Sequence, residues 1–464
     1  MTRSAQQTPG QNLPASGGAL IHCNTPAEMT ASEFLRQLKD GQISVFEYVD
    51  ACAQRIEQLD GSVRAWHKFD GEMVRARARA LDDALAGGTP RRALAGAPIA
   101  VKDIFNTYDY PTGMGSPIMD DYTPGNDARL VSDLRLAQAI VMGKAVTAEF
   151  AVHHPGPTRN PYDFERSPGT SSSGSAAAVA ARMAPLALSS QTGGSTIRPA
   201  SYCGVHGFKP SFGLLPRTGV LKTTDTLDSL GFMARSVEDL RLIFEVCHVR
   251  GHNYPVSAAA LDDVERQTVA DRPWRVGVVR GPKTNDEAAA PRAGLDALIG
   301  KLEQAGCETF EYELAPEFDA AHDAHERIYR CALAYYFDLE WNADSHRFSP
   351  VLQRMIESGG AISARQYRAD VATQRDLARL LEGDGDRFDV LIDLATADDA
   401  PLGLDGKDRP DHCLIWTMCG LPAITLPLLT GSSGLPVGVQ IVARRYNDPL
   451  LLRFAELLSG LVAT

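Results

Sequence analysis

Residues 175–188, SAAAVAARMAPLAL, form an apolar segment built mostly from small side chains. Such a helix suits a place where neighbouring backbones approach closely, so it belongs in a tightly packed core. It is preceded by RSPGTSSSGS (166–175), where five of ten residues are serine, and followed by a second punctuated cluster, QTGGSTIRPASYCG (191–204). Composition alone reads the serine-rich run as a flexible linker. Two Gly/Ser clusters flanking one core helix point instead to loops with a task.

The rest of the chain alternates strands and helices. Thr30 with Glu33 and Ser44 with Glu47 form capping boxes ahead of two amphipathic helices, which read as a clasp on the outside of the fold. Strands are expected at 96–105, 136–144, within 185–195, and at 273–280, 388–393, 422–428 and 437–443. This pattern predicts an α/β fold: one large unit with a mixed, twisted β-sheet covered by helices on both faces. Residues 1–26 read as a flexible tail and 27–464 as the folded unit, with a core at 96–240 and a peripheral helical cap at about 241–385. No 20- to 50-residue repeat is visible.

Charge and composition exclude several classes. A net charge of −12 argues against a general nucleic-acid binder, which would carry a basic face. No run approaches 18 apolar residues and the polar N-terminus lacks a signal-peptide core, so a cytoplasmic protein with no membrane partner is expected. The eight cysteines and eleven histidines show no metal-type spacing, so neither metal nor cofactor is expected. His153 and His154 are adjacent and read as structural. There is no GxxxxGK[ST], GxSxG, SxxK or HExxH.

One residue breaks the apolar pattern: Lys102, inside GAPIAVKDIF. Burial penalises an ammonium and lowers its pKa, and a neutral lysine is a competent base. It would need a hydroxyl partner, which serine-rich loops can supply. The alternative is that Lys102 snorkels or pairs with Asp103.

The ordered set GAPIAVKD, GKAVTAEF, TRNPYD, SPGTSSSGSAAAVAA, QTGGSTIRPASYCGVHGFKPS, LDSLGFMARSVEDL, GLPAITLPL and GLPVGVQIVARR resembles the amidase signature family, densely over 96–240 and more loosely from about 27 to 455. The resemblance implies a serine hydrolase without a catalytic histidine. Lys102 is then the base, and Ser171, preceded by a cis peptide bond, is the bridging serine, with Ser172 as runner-up. Ser195 is the nucleophile. The N–H groups of Thr192, Gly193, Gly194 and Ser195 would receive the oxyanion. The substrate is a small or medium carboxamide, or a related ester, hydrazide or carbamate, and a homodimer is compatible with the family.

Three departures stand out. Thr170 and Ser173 replace glycines of the usual PGGSSGGS, and Gln191 replaces the acid of TDTGGS. Arg198, three residues after Ser195, has two readings. Malonamidase-like members, a small-substrate type, use an arginine in this neighbourhood to clamp a substrate carboxylate; the alternative is a structural ion pair. Ser172 and Gln191 are further expected substrate neighbours. Two rival functions are an amidotransferase A-type subunit that passes ammonia to a partner bound to aminoacyl-tRNA, and a non-catalytic anion-binding module.

Overall fold

A computed structural model describes residues 25–250, 255–269, 272–280, 287–404 and 412–463. The expected tail lies outside these residues except for its last two, and Pro26 already starts a short 3-10 turn, Pro26–Glu28. Eleven strands form one sheet: β1 (Trp66–Phe69), β2 (Pro98–Lys102), β3 (Ile140–Ala145), β4 (Leu186–Gln191), β5 (His206–Lys209), β6 (Ser229–Ala234), β7 (Arg275–Arg280), β8 (Glu308–Glu313), β9 (Val390–Leu394), β10 (Ala423–Thr430) and β11 (Pro436–Ala443). Their spatial order is β1-β3-β2-β4-β6-β5-β10-β11-β9-β7-β8. β2 runs parallel to β3 and β4, and β7 runs parallel to β8 and β9; the remaining pairs are antiparallel.

The sheet is mixed and buried on both faces, as the alternation of side chains shows. Ile99 and Val101 of β2 enter one core cluster with Leu186 and Leu188 of β4, whereas Ala100 and Ala187 enter a second. The helix Ser173–Ala180 supplies Ala176 to Ala180 to that second cluster, all essentially without solvent contact. Its small side chains let it lie close on the sheet. A Cβ on Gly174 would come within 2.4 Å of the Ala65 carbonyl oxygen and the Val146 nitrogen.

Both capping boxes are present, at Thr30/Glu33 and Ser44/Glu47. The region expected to be a peripheral cap is only partly one. Its helices Ala321–Tyr336, Pro350–Gly360 and Ala364–Gly383 form a third apolar cluster, but β7 and β8 extend the main sheet at its edge. Strand β8, with only Tyr312 fully buried, lacks the apolar run that would mark it in sequence. Among the described residues, no helix is long and apolar enough to cross a membrane.

Candidate active site

Lys102 ends β2 on the side facing the alanine helix. The loop ahead of that helix turns at Gly169 (φ +84°), where a Cβ would lie 2.8 Å from Pro199 Cα. Only glycine fits both demands. The Thr170–Ser171 peptide is cis. Lys102 Nζ then meets three hydroxyls: Ser171 Oγ at 2.8 Å, Ser172 Oγ at 2.9 Å and Ser190 Oγ at 2.8 Å.

Lys102 is fully buried, and burial pushes its amine pKa well below the ordinary lysine value; the charge of Asp228 opposes this only in part. Asp103, the alternative partner, pairs with Lys144 Nζ at 2.9 Å and accepts a hydrogen bond from the Gly113 N–H. With no carboxylate among the described residues hydrogen-bonded to Lys102, desolvation dominates and favours the neutral amine. A neutral amine donates two protons and accepts one. Ser172 Oγ donates its single proton to the Ser190 carbonyl at 3.2 Å, so it can only accept from lysine. Of the pair Ser171 and Ser172, Ser171, with no other described hydroxyl partner, is thus the better proton donor to the Lys102 lone pair; Ser190 Oγ is likewise uncommitted.

The GGS loop follows β4 and is held from three sides. Gln191 Oε1 accepts the N–H groups of Thr196 and Ile197 at 2.9 and 3.0 Å, capping the short helix Ile197–Tyr202. Its Nε2 donates to Thr417 Oγ1 at 2.9 Å, and Thr417 Oγ1 donates to the Gly193 carbonyl at 2.6 Å. Thr192 Oγ1 donates to Asp228 at 2.8 Å, while the Thr192 carbonyl accepts from His325 Nε2 at 2.8 Å. That acceptor requires His325 to carry its proton on Nε2.

Ser195 is part-exposed and lines a cavity of about 600 Å³ together with Thr192, Gly193, Gly194 and Arg198. Among the described residues, no acceptor takes the N–H of Gly193, Gly194 or Ser195, and the Ser195 hydroxyl has no hydrogen-bond partner. These donors and this hydroxyl are available to a ligand. Arg330, Arg354 and Glu326 also line the cavity, with Glu326 paired to Arg330. Arg198 lines it as well.

Two expected substrate neighbours lie elsewhere. Gln191 and Ser172 are both buried behind the loop, their polar atoms spent on Thr417, helix-capping and Lys102, and neither lines the cavity. Conversely, His153, read as structural, lines the cavity with His322 and His325. Ser190, His325 and Thr417 were not singled out from sequence. Ser190 carried a weak signal, as a polar residue in an apolar strand next to the second Gly/Ser cluster; the other two come from segments without a motif.

The amidase family model matches residues 47–452. The A-type subunit of glutamyl-tRNA(Gln) amidotransferase from Roseiflexus castenholzii is 32% identical over 474 aligned residues, covering 92% of this chain and 95% of that one. Among solved structures, a chain of a vestigial protein complex that reveals the evolutionary origins of an s-triazine catabolic enzyme superposes with a TM-score of 0.82 at 29% identity, covering 93% and 98% of the two chains. Native peptide amidase from Stenotrophomonas maltophilia gives 0.81 at 26% identity, covering 94% and 98%. With the family pattern running through most of its length and relatives this similar along nearly all of it, the chain belongs to the amidase signature family.

Proposed function

We propose that this protein hydrolyses the C–N bond of a carboxamide through Lys102, Ser171 and Ser195. The observation that carries the reading is Lys102 Nζ, fully buried, bonded among the described residues to hydroxyls alone, and 2.8 Å from Ser171 Oγ. Neutral Lys102 takes the Ser171 proton as Ser171 takes that of Ser195, and Ser195 Oγ attacks the amide carbon. The relay needs Ser195 to meet Ser171; such hydrogen bonds are often long without substrate and tighten in its complex. The oxyanion is received by N–H groups of the 192–195 loop, each donor worth about 2.7–4 kcal/mol of barrier. Protonation of the leaving nitrogen returns through Ser171, and water then cleaves the acyl-enzyme, regenerating Ser195.

Three arginines in the cavity lining, Arg198, Arg330 and Arg354, support a substrate bearing a carboxylate, with Arg198 as its clamp. A second reading, an amidotransferase component that supplies ammonia to a partner, is favoured by the likeness to amidotransferase A-type subunits. Purified chain alone, assayed on neutral amides, carboxylate-bearing amides and glutamine with Ser195→Ala as control, separates the two. Turnover of simple amides that vanishes in the variant supports the hydrolase. Activity on glutamine only when a partner is added supports the amidotransferase component. Activity that survives in Ser195→Ala defeats the mechanism.

A further inference from the structure

Glu287, Asp393 and His412 come from three distant stretches of chain and converge in the interior, where one donor atom from each lies within 4.8 Å of the others. None lines the Ser195 cavity. Their side chains are 3%, 6% and 3% exposed. His412 Nδ1 is 3.3 Å from Asp393 Oδ2 and 3.8 Å from Glu287 Oε1. The other oxygen of each carboxylate is engaged elsewhere: Asp393 Oδ1 accepts the Leu394 N–H at 2.8 Å, and Glu287 Oε2 lies 3.1 Å from Arg292 Nη1. Each carboxylate thus turns one oxygen towards the imidazole. Two buried carboxylates converging on one point favour positive charge between them.

A second observation comes from the sheet. Gln440 on β11 is the cross-strand partner of Asp393 on β9 and is fully buried. Its Nε2 donates to the His412 carbonyl at 3.3 Å, which places the amide head against the cluster, yet among the described residues its Oε1 has no hydrogen-bond partner. Thr425, the partner of Gln440 on β10, also has an unpartnered buried hydroxyl among those residues. Buried acceptors are rarely left unsatisfied. A water on an ion held there would satisfy the Gln440 oxygen.

We infer that Glu287, Asp393 and His412 hold a divalent transition-metal cation of the zinc type. The donor set, one imidazole nitrogen and carboxylate oxygens, suits such an ion. Four-coordinate zinc with bonds of about 2.0–2.2 Å sets neighbouring donor atoms about 3.3–3.5 Å apart. The separations of 3.3 and 3.8 Å from His412 Nδ1 are close to that spacing. The role is structural. His412 begins the segment that continues into the helix Leu414–Met418, whose Thr417 grips the Gly193 carbonyl. The ion would tie that segment to β9 and so steady the GGS loop from behind.

The test adds Zn²⁺ alone to chelator-treated, dialysed full-length protein and reads stoichiometry by metal analysis and affinity by calorimetry. Close to one ion per chain is expected, with a raised thermal midpoint. Asp393→Asn and His412→Ala should each weaken binding at least roughly tenfold and abolish the thermal shift, while the exposed His346→Ala should retain both. Undiminished binding in the folded Asp393→Asn and His412→Ala variants, or no stoichiometric binding by the wild type, overturns the inference. Should those variants fail to fold, X-ray absorption of the zinc-loaded wild type decides. One imidazole with oxygen neighbours supports the site; sulfur or multiple-imidazole ligation overturns it.

Discussion

Replacing Lys102 with methionine tests the protonation state on which the mechanism rests. The change keeps an unbranched side chain and removes the amine. Burial lowers the Lys102 pKa in the fold, whereas the unfolded lysine titrates near the ordinary value of about 10.4. Between those two values the unfolded chain binds one proton more than the folded chain. Wild-type stability therefore rises with pH, by about 1.4 kcal/mol per pH unit, until it levels off above the unfolded pKa. The methionine variant lacks this titration. Its stability relative to wild type should fall by about 1.4 kcal/mol per pH unit wherever the folded amine is neutral and the unfolded one still charged. Ser171, Ser172 and Ser190 lose their contact with Nζ in the variant, at about 1–3 kcal/mol for each group left unsatisfied. That loss is independent of pH, so the slope carries the answer. Urea unfolding of both proteins across this range, followed by tryptophan fluorescence, measures it, because titrations common to the two cancel. A flat difference would mean that the folded lysine stays charged and would refute the neutral-base argument. The variant should also lose about 10²–10⁴-fold in kcat, the contribution of a general base.

Other outcomes follow from the same geometry. Ser190→Ala removes one of the three hydroxyls on Nζ and should lower kcat roughly tenfold with little change in KM, the kinetic equivalent of about 1.4 kcal/mol; unchanged kcat would mean that Ser190 does not position Lys102. Thr417→Val releases the Gly193 carbonyl and should cost kcat up to the roughly 10²–10³-fold attached to one oxyanion donor, read in steady-state kinetics. Arg198→Ala should impair carboxylate-bearing amides more than neutral ones, and equal losses on both would remove the clamp. Gly174→Ala forces a methyl to 2.4 Å from two backbone atoms and should destabilise the fold by about 1–3 kcal/mol, seen as a lower unfolding midpoint.

The elements legible in sequence are those with a local cause. The two capping boxes are written within four residues each, and both form. The buried strands β2, β4, β9, β10 and β11 announce themselves as apolar runs, because a strand covered on both faces has little room for polar side chains. Lys102 was conspicuous because it violates such a run. Strands β1, β5, β6 and β8 are not among the expected ones: β8 is polar and largely exposed, β1 and β5 are only four residues long and half polar or small, and β6 is buried but its apolar run is broken by Gly231.

What the sequence by itself determined was therefore the α/β architecture, the position of a lysine that must be buried, and the glycines that let two loops bend beside it. The tertiary structure decided who meets whom. It set Asp103 on Lys144 rather than Lys102, committed the Ser172 proton to the Ser190 carbonyl, turned Gln191 inward as a cap, and brought His325 and Thr417 to the GGS loop across more than a hundred residues of chain. It also assembled Glu287, Asp393 and His412, whose spacing in sequence resembles no metal motif. Periodicity and propensity act over a few residues, whereas a proton's route or an ion's cage depends on distances that exist only once the sheet has brought remote strands side by side.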